Sequence, residues 1–217
     1  MHGVVDNYVS GMADQRIIVT VAAIKGGVGK TTVVALLARA AAAAGHTVLA
    51  VDADPQGSLA SWADLAGGLG AGVTVLAAPT AHFARELGKA AVGFTVVLID
   101  CPPGDVRATA VAMSVSDLVL VPLAPTLADL DRLAPTLDLA QAAGCAAAIV
   151  LNRVRAGTRS TRLAAAALAD GGWPVLATVV PLAERIAASY GSRSGTVAPF
   201  AALWSEVETL ALTLKES

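Results

Sequence analysis

Short, unbroken apolar runs alternate with longer stretches of helical periodicity along most of this 217-residue chain. Residues 17–24, 47–51, 73–77, 94–99, 118–123, 146–151 and 175–180 read as strands, being rich in Val, Ile and Leu and lacking polar alternation. Strands covered on both faces look like this, whereas a half-exposed sheet alternates apolar with polar residues. Helices are expected over 31–44, 58–66, 81–91, 106–113, 127–143, 159–169, 182–190 and 199–214. The alternation predicts an α/β fold, a doubly wound, mostly parallel sheet of about seven strands with helices on both faces. In the last helix Leu203, Trp204, Val207, Leu210, Ala211 and Leu214 form one apolar stripe, with Glu206 and Glu208 on the wet side. A membrane-surface helix would carry Lys or Arg there, so this one reads as a packing helix. Strand character begins at residue 17, so 1–16 read as a flexible tail and 17–217 as a single domain.

Hydrophobic residues make up 55% of the chain and mean hydropathy is +0.66, which taken alone suggests a membrane protein. The excess is mostly alanine, and no run of about 18 strongly apolar residues escapes Gly, Pro or charge, so no spanning helix is expected. The opening residues lack the basic and apolar segments of a secretory signal. Two cysteines, Cys101 and Cys145, make neither a disulfide framework nor a four-ligand metal site, which points to the cytoplasm. A net charge of −2 excludes a globally basic nucleic-acid binder but leaves a local basic patch open.

Chemistry concentrates at the ends of the predicted strands. Lys25-Gly26-Gly27-Val28-Gly29-Lys30-Thr31-Thr32 lies between the first strand and the first helix, where a phosphate loop belongs. Small residues let backbone N–H groups approach an anion, and the helix N-terminus adds the positive end of its dipole. Lys30 is suited to the β- and γ-phosphates, Thr31 to Mg²⁺ and Thr32 to the α-phosphate. The ordinary G-x-x-x-x-G-K-T pattern would put Gly at position 24; this chain has Ile24, and a second lysine, Lys25, at the loop entrance. After the second strand come Asp52 and Asp54 in Asp52-Ala53-Asp54-Pro55-Gln56-Gly57, two carboxylates on the edge where open α/β sheets bind ligands. The same residues also suit a plain turn and helix cap. After the fourth strand stands Asp100, placed to hold Mg²⁺ as a Walker B carboxylate does, or simply to cap a strand before Pro102-Pro103. Cys101 beside it reads as a small buried residue. Asn152 follows the sixth strand, as a base-recognising carboxamide or a turn residue.

The Lys25–Thr32 segment resembles the deviant Walker A, or ParA/MinD-type, ATPases, whose pattern is K-G-G-x-G-K-[ST]. The resemblance runs over nearly all of 17–214. Together with Ser58–Trp62 and Ser116–Pro122 it is nearest to the small ParA/ParF plasmid-partition ATPases. It implies ATP and Mg²⁺ as cofactors and an ATP-bound homodimer in which Lys25 reaches the partner's nucleotide. By the same resemblance Lys30 and Asp54 are catalytic, Asp54 positioning the attacking water. Thr31, Asp52 and Asp100 serve the metal. Gly26, Gly27, Val28, Gly29, Lys30, Thr31, Thr32, Asn152 and Pro181 bind nucleotide. The family dimer binds DNA without sequence preference and answers to a centromere-binding, ParB-like partner. Arg159, Arg162, Arg185 and Arg193 are the candidate DNA contacts here, with Arg153 and Arg155 nearby; an ordinary solvated surface is the competing reading. The expected function is segregation of plasmid or chromosomal DNA, cytoplasmic and on the nucleoid, without membrane attachment. Positioning of a protein complex and ATP-dependent biosynthesis are the alternatives, since relatives with those functions carry the same motifs. Asp129 and Asp131, after the fifth strand, are weighed as dimer-interface contacts but not assigned to it. His2, His46 and His82 make no metal spacing, and Trp62, Trp173 and Trp204 read as core or interface anchors.

Overall fold

The computed structural model describes residues 16–79, 83–193 and 198–216. The tail expected over 1–16 lies outside them except for Arg16, whose Nε donates to the Phe94 carbonyl at 3.1 Å. Six strands, β1 (Ile17–Val21), β2 (Val48–Asp52), β3 (Val73–Ala77), β4 (Val96–Asp100), β5 (Leu118–Leu123) and β6 (Ala147–Leu151), form one parallel sheet in the order β3-β2-β4-β1-β5-β6. The described helices are α1 (Lys30–Ala43), α2 (Ser58–Ala66), α3 (Phe83–Ala90), α4 (Val106–Met113), α5 (Leu127–Leu130), α6 (Leu133–Ala142), α7 (Arg159–Asp170), α8 (Glu184–Ala187) and α9 (Phe200–Glu216).

One apolar layer joins the sheet to α1, α2 and α9 through Leu36, Leu59, Trp62, Leu203 and Trp204. The other joins it to α3, α4, α6 and α7 through Leu87, Met113, Leu133 and Leu168. Burial on both faces explains why the strands are continuously apolar. The α9 stripe packs as expected, but its acids are not merely wet. Glu208 Oε1 pairs with His46 Nε2 at 2.7 Å, and Glu206 accepts the backbone amides of Ala177 and Thr178 at 2.7 and 2.8 Å. Trp62 and Trp204 are buried, whereas Trp173 is 37% exposed and anchors no core.

The Glu206 contacts explain a difference from expectation. Residues 175–180 do not make a seventh strand; Val175 makes an isolated bridge to Ile149 of β6, and just past the segment Pro181 bridges Val154. Two of their amides go to a carboxylate on α9 instead of to a ladder, and Pro181 has no amide to give. The helix expected over 127–143 is broken between α5 and α6. Pro135 in the first turn of α6 would collide with the carbonyl of residue 131, four positions earlier.

Strand order assembles the site. β4 separates β1 from β2, and Asp100 is in register with both Val21 and Asp52. The three motif-bearing strands therefore end side by side on one sheet edge.

Candidate active site

Beyond β1 the chain runs through Ala22 and Ala23 and turns over Lys25–Gly29 into α1. Gly29 caps that helix with φ 92°, a left-handed conformation. A Cβ there would also stand 2.6 Å from Asn152 Nδ2, so only glycine lets the β6–α7 turn close on the loop. Val33 N–H, donating to Gly29 O at 2.9 Å, is the first helical bond. The amides of Lys30, Thr31 and Thr32 are left for an anion at the positive end of the dipole. Lys30 is buried, its Nζ donating to Ala23 O at 3.3 Å and Lys25 O at 3.5 Å. Burial lowers its pKa, and the nearby charges of Asp100 and Asp54 partly restore it.

The carboxylates divide their work. Asp100 is 1% exposed, and neither of its oxygens has a hydrogen-bond partner among the described residues. Burial pushes its pKa up to about 7; the Thr31 hydroxyl and Lys30 favour its charged form, while Asp52 and Asp54 oppose it. A buried, unpartnered carboxylate beside a threonine hydroxyl fits a divalent cation completed by phosphate and water, the way Mg²⁺ is usually held. No cluster of three or more His, Cys, Asp or Glu able to hold a metal exists among the described residues, so the protein builds no metal cage of its own there.

Asp52 has its oxygens engaged by the backbone. Its Oδ1 accepts from Asp54 N at 3.1 Å and its Oδ2 from Leu59 N and Ala60 N at 3.0 and 2.9 Å. These bonds cap the start of α2, as the turn-and-cap reading anticipates, and tie down the segment bearing Asp54. Burial still raises the Asp52 pKa against those three amides. Asp54 is half-buried, accepts from Gln56 N at 2.9 Å, and lines the cavity opposite Lys30 and Thr31.

That cavity holds about 460 Å³, room for a nucleotide, and extends from the phosphate loop to Pro181, Leu182 and Tyr190. Asn152 lines it but is already engaged, Nδ2 donating to Val28 O at 2.7 Å and Oδ1 accepting from Arg153 N at 3.0 Å. Trp62 closes the wall behind Ser58, its ring 5.1 Å from Tyr190. Lys25 takes no part in the cavity. Its ammonium lies 2.5 Å from Asp129 Oδ1, while the other oxygen of that carboxylate takes the Thr126 hydroxyl.

The model of the CobQ/CobB/MinD/ParA nucleotide-binding domain matches residues 19–197. The chain belongs to this family. Within it, the chain is 34% identical over 167 residues to "Maintenance of carboxysome distribution protein A" of Halothiobacillus neapolitanus, covering 74% of this chain and 77% of that one. It is 34% identical over 123 residues to "Protein ParA" of Rhizobium radiobacter, covering 56% of this chain and 55% of that protein. Among solved structures, cobyrinic acid a,c-diamide synthase from Mycobacterium smegmatis with bound ADP and magnesium superposes with TM-score 0.67 and 25% identity, covering 81% of this chain and 91% of that one. The resemblance carried by Lys25–Thr32 is thereby borne out.

For this member of the CobQ/CobB/MinD/ParA family, the structure brings Lys30, Thr31, Thr32, Asp54, Asn152 and Pro181 around one cavity, with Asp100 buried behind Thr31. It leaves Arg159, Arg162, Arg185 and Arg193 at the surface, on α7, α8 and the loop after α8. The contacts made by Asp129 and Arg153 were not legible in the sequence. Asp129 meets a lysine 104 positions away, and Arg153 Nη1 donates to Gly27 O at 2.6 Å across 126 positions. No local periodicity signals such pairs. Among the described residues, no helix is long and apolar enough to cross a membrane.

Proposed function

We propose that this protein is an Mg²⁺-dependent ATPase that works as an ATP-bound homodimer on DNA and positions a cargo in the cytoplasm. The observation that carries this reading is the separation of the two loop lysines. Lys30 is buried in the phosphate cavity, whereas Lys25 stands outside it against Asp129. A cation excluded from its own site yet adjacent to it suits a second copy's nucleotide. When bound, Mg²⁺ supplies charge that neutralises the β- and γ-phosphates. Lys30 and the loop amides orient the triphosphate, Asp100 and Thr31 hold the cation, and Asp54 orients the attacking water. The nucleotide and magnesium in the cobyrinic acid a,c-diamide synthase structure support the choice of ligands.

Residues 151–193 hold six arginines against Asp170 and Glu184, in a chain with 15 basic and 17 acidic residues overall. Arg159 opens α7 and Arg162 follows in its first turn, at the positive end of the dipole, where no acid offsets them. Such an arrangement costs ~0.3–1 kcal/mol until an anion arrives, and DNA phosphate is the anion this reading supplies. Replacing Arg159, Arg162, Arg185 and Arg193 singly with alanine should weaken DNA retention for all sequences alike. The slope of log affinity against log salt should fall by roughly 0.9 for each arginine that neutralises a phosphate. An unchanged slope in all four assigns them to plain surface.

The relative from Halothiobacillus neapolitanus, matched over three-quarters of its length, favours a protein assembly as cargo. The match to a ParA over about half its length supports the second reading, DNA segregation with a ParB-like centromere-binding partner. An Asp54→Ala chain separates them, because it should bind ATP, dimerise on light scattering and stay dimeric without releasing phosphate. Capture of an adaptor of a protein assembly by that locked dimer supports the first cargo; capture of a centromere-binding protein supports the second. A monomer under all nucleotide conditions overturns both.

A further inference from the structure

We propose that Arg153, together with Asn152, is a positioning residue that sets the phosphate loop for its ligand; the inference rests on the nucleotide reading of the cavity. Arg153 has φ 56° and is the non-glycine residue with positive φ among the described residues. A left-handed arginine stores strain that the surrounding structure must hold in place, and such outliers gather at working sites. Its guanidinium donates to Gly27 O at 2.6 Å, and the neighbouring Asn152 donates to Val28 O at 2.7 Å. The backbone between them is locked by Arg153 N donating to Asn152 Oδ1 at 3.0 Å.

Two consecutive side chains thus grip two consecutive carbonyls of the loop. In a trans peptide the carbonyl of one residue and the N–H of the next point in opposite directions. Fixing Gly27 O therefore fixes the Val28 N–H, and fixing Val28 O fixes the Gly29 N–H. Neither amide donates to another described protein group. Donors held in advance need no reordering when an anion arrives, which is what makes electrostatic preorganisation effective. The left-handed backbone lets Arg153, a residue of the β6–α7 turn, reach back over the loop while Val154 N returns to pair with Val180 O at 3.0 Å.

Glycine at this position separates strain from grip. Arg153→Gly relieves the positive φ but removes the guanidinium; Arg153→Ala removes the guanidinium and keeps the strain; Arg153→Lys keeps a donor of similar reach. With a fluorescent ADP analogue and Mg²⁺ as probe, Arg153→Gly and Arg153→Ala should both bind about tenfold more weakly than the unaltered chain, and Arg153→Lys should recover part of the loss. In the absence of nucleotide, Arg153→Gly should melt no lower than the unaltered chain while the NMR order parameters of its Val28 and Gly29 N–H groups fall. Affinity equal to the unaltered chain in the glycine variant, or unchanged order parameters at both amides, overturns the proposal. A lower melting temperature in proportion to the drop in affinity also overturns it, because it makes Arg153 a general brace. Failure of the unaltered chain to bind the probe removes the nucleotide reading itself, while the order parameters still test the grip on the loop.

Discussion

A Lys25→Ala chain should bind nucleotide within a few-fold of the unaltered protein yet hydrolyse it roughly 10³-fold more slowly, the scale of a cation supplied across an interface in other NTPases. The expectation follows from the position of the side chain. Lys25 lines none of the cavity, so its removal leaves the phosphate donors of its own subunit intact. What disappears is the charge proposed to serve a second copy's nucleotide. The competing effect is local: Asp129 is 5% exposed and is deprived of its cation, although the Thr126 hydroxyl remains. The double variant Lys25→Ala/Asp129→Ala isolates that effect, since it leaves no buried carboxylate unpaired. Single-turnover phosphate release, with sizing in the presence of a non-cleavable ATP analogue, measures both quantities. Hydrolysis at the unaltered rate in both variants sinks the assignment.

Asp100→Asn should stabilise the nucleotide-free chain and disable it. The Asp100 carboxyl is ordinarily near pH 4 and is pushed up to about 7 here, chiefly by burial. Between those values the folded chain holds a proton that the unfolded chain has released. Stability therefore falls as pH rises through this window, and the penalty is complete once Asp100 is charged in both states. Asparagine removes the charge, a gain of about 2 kcal/mol after allowing for its own buried amide. At pH 8 in a chelator the melting temperature should rise by about 5 °C. From pH 6 to 8 the unaltered chain should lose stability while the variant stays nearly level. Magnesium should then no longer strengthen nucleotide binding, because the buried carboxylate proposed to hold it is gone. A melting temperature lower than that of the unaltered chain at pH 8 contradicts this account.

The sequence made the phosphate loop, Asp54 and Asp100 readable for a common reason: each sits at the end of an apolar run, and the run itself announces the strand. Six of the seven expected strands form, since burial on both faces leaves an unbroken signature. The failures share a cause as well. Glu206 diverts the amides of Ala177 and Thr178, Glu208 takes His46, and Asp129 takes Lys25, each across many positions. Pairings of that kind depend on how elements pack, which periodicity does not encode. Asp52 shows both sides: its place on the strand was plain, but its oxygens serve three backbone amides. The break before α6 could have been anticipated from Pro135, had the ring's reach to residue 131 been weighed against the apolar pattern.

Those three amides carry one more implication. Asp52 joins the segment holding Asp54 to the start of α2, and Trp62 on that helix touches Tyr190, with its indole N–H 3.5 Å from Ser192 O and its ring 5.6 Å from the Arg39 guanidinium. Asp54, the acid proposed to orient water, is therefore the near end of a strut, and the segment leading to Arg193 is its far end. A shift of Asp54 would be felt along that strut, so the proposed hydrolytic site and the proposed surface grip would share a single moving part.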